Sequence, residues 1–277
     1  MTTGINEKVT TVNDLTVHYY EAGRPENKPV MLLHGHVGDA WMHWSEAMPM
    51  LAETYYVIAP DMPGYGQSDR LPRMTPETIT TWVIGLMQAV GMADAVLIGN
   101  SFSGGLAARL TAAVYPDRVP ALILINGGTI PDVPGCAKII AGTPGIGPFF
   151  YKRLAASTTS HDNMTGLFED KDRLTDAVMS RIRNERDGLA HMMRTLSAMP
   201  KPDQRTPPIP VLLIWGEEDA ITPRVIGEAI HKAIPGAKLE LIANTRHIPH
   251  VEEPEVFAWQ VKRFLDEIAQ PGDLEIP

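Results

Sequence analysis

At 277 residues, with 44% hydrophobic and 21% charged side chains, the chain has the composition of a globular protein of one large domain, or one domain carrying an insertion. A formal net charge of -9 and a pI near 5.5 argue against nucleic acid or an anionic membrane as partner, because phosphate groups are held by Lys and Arg. The single cysteine, Cys136, excludes an internal disulfide framework.

The expected partner is therefore a small-molecule substrate, with a homodimer left open and neither nucleic acid nor membrane engaged. The opening MTTGINEKVTTVNDLTVHYY lacks an apolar core of the signal-peptide kind. No later run approaches the ~18 apolar residues of a membrane span, so a cytoplasmic location is expected. Cys136 has no histidine or basic cluster beside it and is expected to be structural.

In chain order, KVTTV and LTVHYYEAG read as strands, and PVMLLHG (29–35) is a short apolar run of the kind buried on both faces of a sheet. YYVIAP (55–60), AVLIGN (95–100), ALILIN (121–126) and VLLIWG (211–216) repeat that form, and KLELIAN (238–244) is a weaker version. PETITTWVIGLMQAVG and SGGLAARLTAAVYP lie between them with helical spacing. This alternation predicts an α/β fold with a mostly parallel, doubly wound sheet.

After Asn126 the alternation stops, and it resumes at Pro208. The gap holds the Gly- and Pro-rich GGTIPDVPG and AGTPGIGPFF, then a polar, helix-patterned tract from about Asp170 to Met199. A gap of that length without strand signal predicts a helical cap inserted after the sixth strand. The expected boundaries are 1–128 and 206–277 for the core and 129–205 for the cap.

In an open α/β sheet, ligands sit at the carboxyl ends of the strands. Five polar segments stand there: His34 to Trp44, Asp61 to Ser68, Asn100 to Gly105, Asp219 and His247. In GNSFSGG (99–105) a strand runs into Ser101, and a helix follows. A sharp strand-to-helix turn needs small residues two places either side of its apex, which both Ser101 and Ser103 satisfy. Ser103 would fall inside the first helical turn, whereas Ser101 sits at the strand end with its hydroxyl free, so Ser101 is the expected nucleophile.

A serine hydroxyl needs a base, and the base needs a carboxylate to orient it. VLLIWGEEDAITP offers Glu217, Glu218 and Asp219; the first two read as a solvated turn, and Asp219 precedes apolar residues and can face inward. The end of the preceding strand holds Asn126, which carries no charge. Of nine histidines, His247 follows the last strand signal shortly before the C-terminal helix, and His250 reads as structural. Ser101, Asp219, His247 is the chain order of a known triad arrangement. The glycine-rich Asp61 to Ser68 segment lacks the Lys-Ser/Thr of a P-loop and reads as a turn at the sheet rim. No metal-ligand set stands out, and no cofactor is expected.

With His34-Gly35, APDMPGYGQSD, GNSFSGG, WGEEDAITP and RHIPHVEEPEVF in this order, the chain resembles the α/β-hydrolase family from about residue 10 to 268. The resemblance implies that the backbone N–H groups of His36 and Phe102 form an oxyanion hole, while Gly35, Trp41, Asn100 and Ile248 contact substrate. It also implies hydrolysis of a small carboxylic ester or lactone through an acyl-enzyme. GNSFSGG and APDMPGYGQSD are similar to hydrolases that cleave carbon-carbon bonds in ring-fission products. Those enzymes carry a Gly-Pro-Gly run after His-Gly and a tryptophan after the catalytic histidine, where this chain has HGHVGDAW and Ile248. A non-catalytic binder on the same fold is the third reading. Within the cap, Arg181, Arg183, Arg186 and Arg194 read as a solvated face, and any one pointing inward would recognise a substrate carboxylate.

Overall fold

The computed structural model describes residues 4–129, 134–199 and 206–269, so part of the Gly- and Pro-rich entry to the cap and its last residues lie outside the described residues. Strands β1 (Asn6–Val12) and β2 (Leu15–Ala22) form a hairpin whose two turn residues, Asn13 and Asp14, have φ of 50° and 65°. Positive φ at both central positions matches the turn to the right-handed strand twist, and Asn and Asp tolerate it.

The chain continues through β3 (Pro29–Leu33), α1 (Ala40–Trp44), α2 (Ala47–Ala52), β4 (Tyr56–Pro60), α3 (Pro76–Ala89), β5 (Val96–Asn100), α4 (Ser103–Val114) and β6 (Leu122–Ile125). Helices α5 (Gly135–Gly142), α6 (Ile146–Thr158), α7 (His161–Met164), α8 (Asp176–Asn184) and α9 (Arg186–Ala198) follow. The core resumes with β7 (Val211–Gly216), α10 (Arg224–Ala233), β8 (Lys238–Ile242), α11 (Pro249–Glu252) and α12 (Pro254–Ala269). The eight strands among the described residues form one sheet in the order β1-β2-β4-β3-β5-β6-β7-β8. Pairing is antiparallel at β1–β2 and β2–β4 and parallel from β4 to β8.

Alternation along the buried strands divides the core in two. Met31, Leu33, Ile58 and Leu97 face the side covered by α3, α4 and α10. Val30, Leu32, Val57, Val96 and Ile98 face the side covered by α2 and α12. Burial on both faces explains why these strands read as continuous apolar runs. α3 starts at a capping box, with the Thr75 hydroxyl accepting from Thr78 N–H and the Thr78 hydroxyl accepting from Thr75 N–H.

The helices between β6 and β7 form two further clusters. Met164, Leu167, Phe168, Leu174, Met179 and Ile182 bury against Met42, Ile248 and Val251 of the core. Tyr151, Ala155, Leu189 and Ala190 join α6 to α9, with Ala141 of α5. Polar ties add to these. Asp39 caps α1 by accepting from Met42 N–H and pairs at 2.5 Å with Arg181 of α8. Arg173 donates to the carbonyls of Val251 and Glu252 at 2.8 and 2.9 Å. Among the described residues, no helix is long and apolar enough to cross a membrane.

Candidate active site

Strand β5 ends at Asn100, and the next residue, Ser101, has φ +56°, a left-handed conformation rare for a residue with a Cβ. The reversal brings α4 back against the strand so closely that a Cβ on Gly99 would stand 2.4 Å from the Gly104 carbonyl oxygen. Any other residue at position 99 would push the turn open. Ser101 N–H donates to Ile125 O at 2.7 Å, which ties the turn to β6.

Ser103 is 4% exposed and lies in the first turn of α4, its hydroxyl donating to His34 O at 3.2 Å. It pins the helix start to the end of β3 and is not in the wall of the cavity described below. The two serines are thus separated by their surroundings.

Ser101 Oγ lies 2.7 Å from His247 Nε2, and His247 Nδ1 lies 2.8 Å from Asp219 Oδ2. The carboxylate accepts the Nδ1 proton, which leaves Nε2 to accept from the serine hydroxyl. Asp219 follows β7, His247 follows β8, and both are buried.

Asp219 is held by donors that follow β6 and β7. Oδ1 accepts from the backbone N–H of Ile221 and Thr222 at 2.8 and 3.0 Å. Oδ2 accepts from Asn126 Nδ2 and from the Thr222 hydroxyl, each at 2.5 Å. Burial pushes the Asp219 carboxyl up, but the bonds from His247, Thr222 and Asn126 outweigh it and hold the group below the usual carboxylate range. Asn126 carries no charge and is instead a donor to the acid; its polar side chain after an apolar strand is the signal the sequence offers.

Around His247 the backbone is fixed from both sides. Its N–H donates to Leu167 O, between β6 and β7, at 3.2 Å, and its carbonyl accepts from Asn100 Nδ2 at 3.4 Å. Glu252, 5% exposed, accepts from Glu169 N–H at 2.5 Å and from Arg246 N–H at 2.7 Å. Burial raises its carboxyl, and the two backbone donors work against that.

The loop after β3 carries the expected oxyanion donors. Neither the His36 nor the Phe102 N–H donates to another backbone group among the described residues. The Tyr65 hydroxyl donates to His36 O at 2.9 Å, and the His36 and Phe102 rings meet edge to face at 5.1 Å. His34 donates through Nδ1 to Gly35 O and accepts Met62 N–H at Nε2, both at 2.8 Å, joining this loop to the one after β4. His43 donates through Nε2 to Val37 O at 2.8 Å and accepts at Nδ1 from His250 Nε2 at 3.1 Å. Burial pushes His36 and His43 down to about 3, so both rings are neutral. His250, expected to be structural, is this second partner.

A cavity of about 520 Å³ opens onto Ser101 and His247. Its wall includes Met42, Met164, Leu167, Leu189, Met193, Leu196, Ile226 and Ile248, so the helices between β6 and β7 and the segments at the sheet edge both contribute. Asn100, Ile248, His36 and Phe102 are in this wall; Gly35 and Trp41 are not. Gly35 lies behind it, close to the Asn100 side chain. Trp41 sits outside, half-covered between Tyr20 and Arg181, because α1 turns its face toward the β2 surface. Among the described lining residues there is no Lys, Arg, Asp or Glu. The cap arginines lie elsewhere: Arg181 pairs with Asp39, and Arg186 donates to Thr159. Cys136 is exposed on α5 rather than built into a core, which corrects the structural expectation. Among the described residues, no cluster of three or more His, Cys, Asp or Glu is arranged to hold a metal ion.

Comparison with known proteins agrees with this architecture. Residues 28–254 match the family described as alpha/beta hydrolase fold. A 2-hydroxy-6-oxononadienedioate/2-hydroxy-6-oxononatrienedioate hydrolase of Burkholderia vietnamiensis is 31% identical over 270 residues, covering 91% of each chain. A thermophilic esterase from Thermogutta terrifontis superposes with a TM-score of 0.77 at 25% identity, over 96% of this chain and 100% of that one. A meta-cleavage product hydrolase from Pseudomonas fluorescens gives 0.71 at 26% identity, over 96% and 98%.

Proposed function

Because this chain belongs to the α/β-hydrolase fold family and is a hydrolase of that kind, we propose that it cleaves a neutral, largely apolar carboxylic ester or lactone through an acyl-enzyme formed on Ser101. His247 Nε2 takes the hydroxyl proton as Oγ attacks the carbonyl carbon. Asp219 keeps the imidazole in the required tautomer and stabilises the imidazolium. The His36 and Phe102 N–H groups hold the oxygen of the tetrahedral intermediate, each worth roughly 3 kcal/mol in comparable sites. Collapse expels the alcohol, which takes the proton from His247. Water then attacks the acyl-enzyme with His247 again as base, releasing the acid and restoring Ser101.

The observation that carries the choice of substrate is the cavity wall, apolar and without a charged side chain among its described residues. The dienedioate in the name of the Burkholderia relative carries two carboxylates, and burying those without a cation would be costly. His36 Nδ1, buried without a protein partner, can donate to a neutral ester when that nitrogen carries the ring proton, and Asn100 and Ile248 stand beside it in the wall. Asn100 and His36 are thus the proposed substrate contacts beside Ile248.

Steady-state kinetics on p-nitrophenyl esters test this. Turnover is expected for butyrate and hexanoate esters, with kcat/KM falling at least about a hundredfold when the acyl chain ends in a carboxylate. Ser101→Ala is expected to lose about a thousandfold or more of kcat. A preference for vinylogous 1,5-diketone acids over every ester would replace ester hydrolysis with carbon-carbon cleavage, and absence of turnover on both would leave a binder.

A further inference from the structure

Helix α6 has two apolar stripes, and the fold uses only one. Tyr151 and Ala155, with Gly147, turn inward against α5 and α9. Ile146, Phe149 and Phe150, at the i, i+3, i+4 spacing of a single helix face, turn outward and are 60%, 65% and 40% exposed. Ile139 of neighbouring α5 is 72% exposed. Exposed aromatic and aliphatic side chains on adjoining helices are unlike scattered surface residues, and such patches mark interaction sites.

The charge around this face is the reverse of the chain's. From residue 134 to 160 the sequence holds Lys138, Lys152 and Arg153 and no Asp or Glu, within a chain of formal charge -9. Arg153 stacks over the Phe149 ring at 5.9 Å, extending the apolar stripe by a cationic edge. The elements packed against the pair contribute Asp162, Asp187, Arg186 and Arg194, and Asp187 engages Lys152 at 3.2 Å. The local balance stays positive.

We infer that the outward face of α5 and α6 is a docking surface for an anionic lipid layer, with Phe149, Phe150, Ile146 and Ile139 entering the interface and Lys138 and Arg153 meeting the headgroups. Apolar rings below a cationic rim are what such a layer accepts. A second copy of the chain fits less well, because a two-fold pairing sets the same cations against each other. The whole-chain charge that argued against a membrane is carried by other surfaces, and within a Debye length of ~8 Å only the local charge counts. The face also backs the site: α6 packs on α9, whose Leu189 and Met193 line the cavity.

Flotation of the full chain with vesicles tests the inference without any need for activity. Vesicles of phosphatidylcholine with phosphatidylglycerol are expected to carry the protein at low salt, with release at high salt and weaker binding to phosphatidylcholine alone. Phe149→Ser with Phe150→Ser is expected to cut partitioning about tenfold. Lys138→Glu with Arg153→Glu should abolish the preference for anionic vesicles. A circular dichroism spectrum and melting curve like the wild type's would show that each variant is folded. The inference is overturned if the wild type stays unbound to both vesicle types, or if the phenylalanine variant floats like the wild type. It is equally overturned if the wild type elutes as a dimer that this variant dissociates, which would assign the face to a second copy, or if it binds an acidic protein but no vesicle.

Discussion

Five hydrogen bonds converge on Asp219, from His247, Asn126, the Thr222 hydroxyl and two backbone N–H groups. They hold the carboxylate both charged and aimed, so the proposed base depends on Asn126, which stands outside the cavity wall, and on Thr222, which stands in it. Hydrogen bonds to charged groups are worth roughly 1.5–3 kcal/mol. Asn126→Ala is therefore expected to lower kcat about tenfold or more with little change in KM. Removing a donor raises the Asp219 pKa, so the acid limb of the pH–rate profile should also move to higher pH. An unchanged limb would mean that Asn126 acts only through packing. Asp219→Asn, which costs the tautomer, is expected to lose about ten-thousandfold of kcat with the melting temperature kept. Residue types and their order picked out Ser101, Asp219 and His247 as candidates, because each follows an apolar run that must end at the same edge of the sheet. Asn126 and Thr222 escaped, since a donor to a carboxylate has no spacing rule.

At the scale of elements, the helices between β6 and β7 meet the loop after β4 at a clasp where α8 ends and α9 begins. Glu185 accepts from Gly66 N–H at 2.8 Å, and Gly188 approaches Gly64 so closely that a Cβ would stand 2.4 Å from its carbonyl oxygen. Burial pushes the Glu185 carboxyl up to about 7; the Gly66 bond opposes this, and the charges of Asp39 and Asp61 add to it. A folded-state value raised above the ordinary 4.5 means that the group favours the folded state at low pH. That contribution is lost as pH rises from the ordinary value through about 7. Glu185→Gln keeps an acceptor for Gly66 and removes the charge. Its melting temperature is expected to exceed the wild type's at pH 8 and to match it near pH 4; a shift equal at both would remove the carboxyl from the explanation. The run of helices between β6 and β7 was legible as a gap in strand signal, but this clasp was not. It joins residues more than a hundred positions apart, and periodicity carries no information on such pairs.

Across the whole molecule, buried charge ties the antiparallel edge of the sheet to the loop after β4. His18 is 2% exposed, and its ring nitrogens meet Asp61 and Glu7, each at 2.7 Å. The Asp61 bond raises the His18 pKa and outweighs burial. Asp61 in turn accepts Ala40 N–H at 3.0 Å, so β1, β2 and the start of α1 share one network. A raised imidazole stabilises the fold fully below its ordinary 6.5, and this is lost as pH rises through the folded value. Wild-type stability measured by urea unfolding is expected to decline from pH 6 to 9, while His18→Asn, already weaker at pH 6, declines less. Parallel slopes would place the pH dependence in another group. His18 read from the sequence as a bland strand histidine, because a carboxylate 43 residues away leaves no local mark.

By itself the sequence determined the α/β architecture, the place of the helices between β6 and β7 and the choice of Ser101, Asp219 and His247, which form one hydrogen-bonded row ending at the cavity. Each of these rests on a short-range rule: apolar runs buried on both faces, helical spacing, and polar residues at strand ends. Only the tertiary structure decided what surrounds them. It separated Ser103 from the cavity, left Trp41 and the cap arginines outside its wall, and put an unpaired apolar face with a cationic edge on the cap. Those outcomes depend on which distant surfaces cover which side chains, and coverage is a property of the folded chain rather than of any stretch of it.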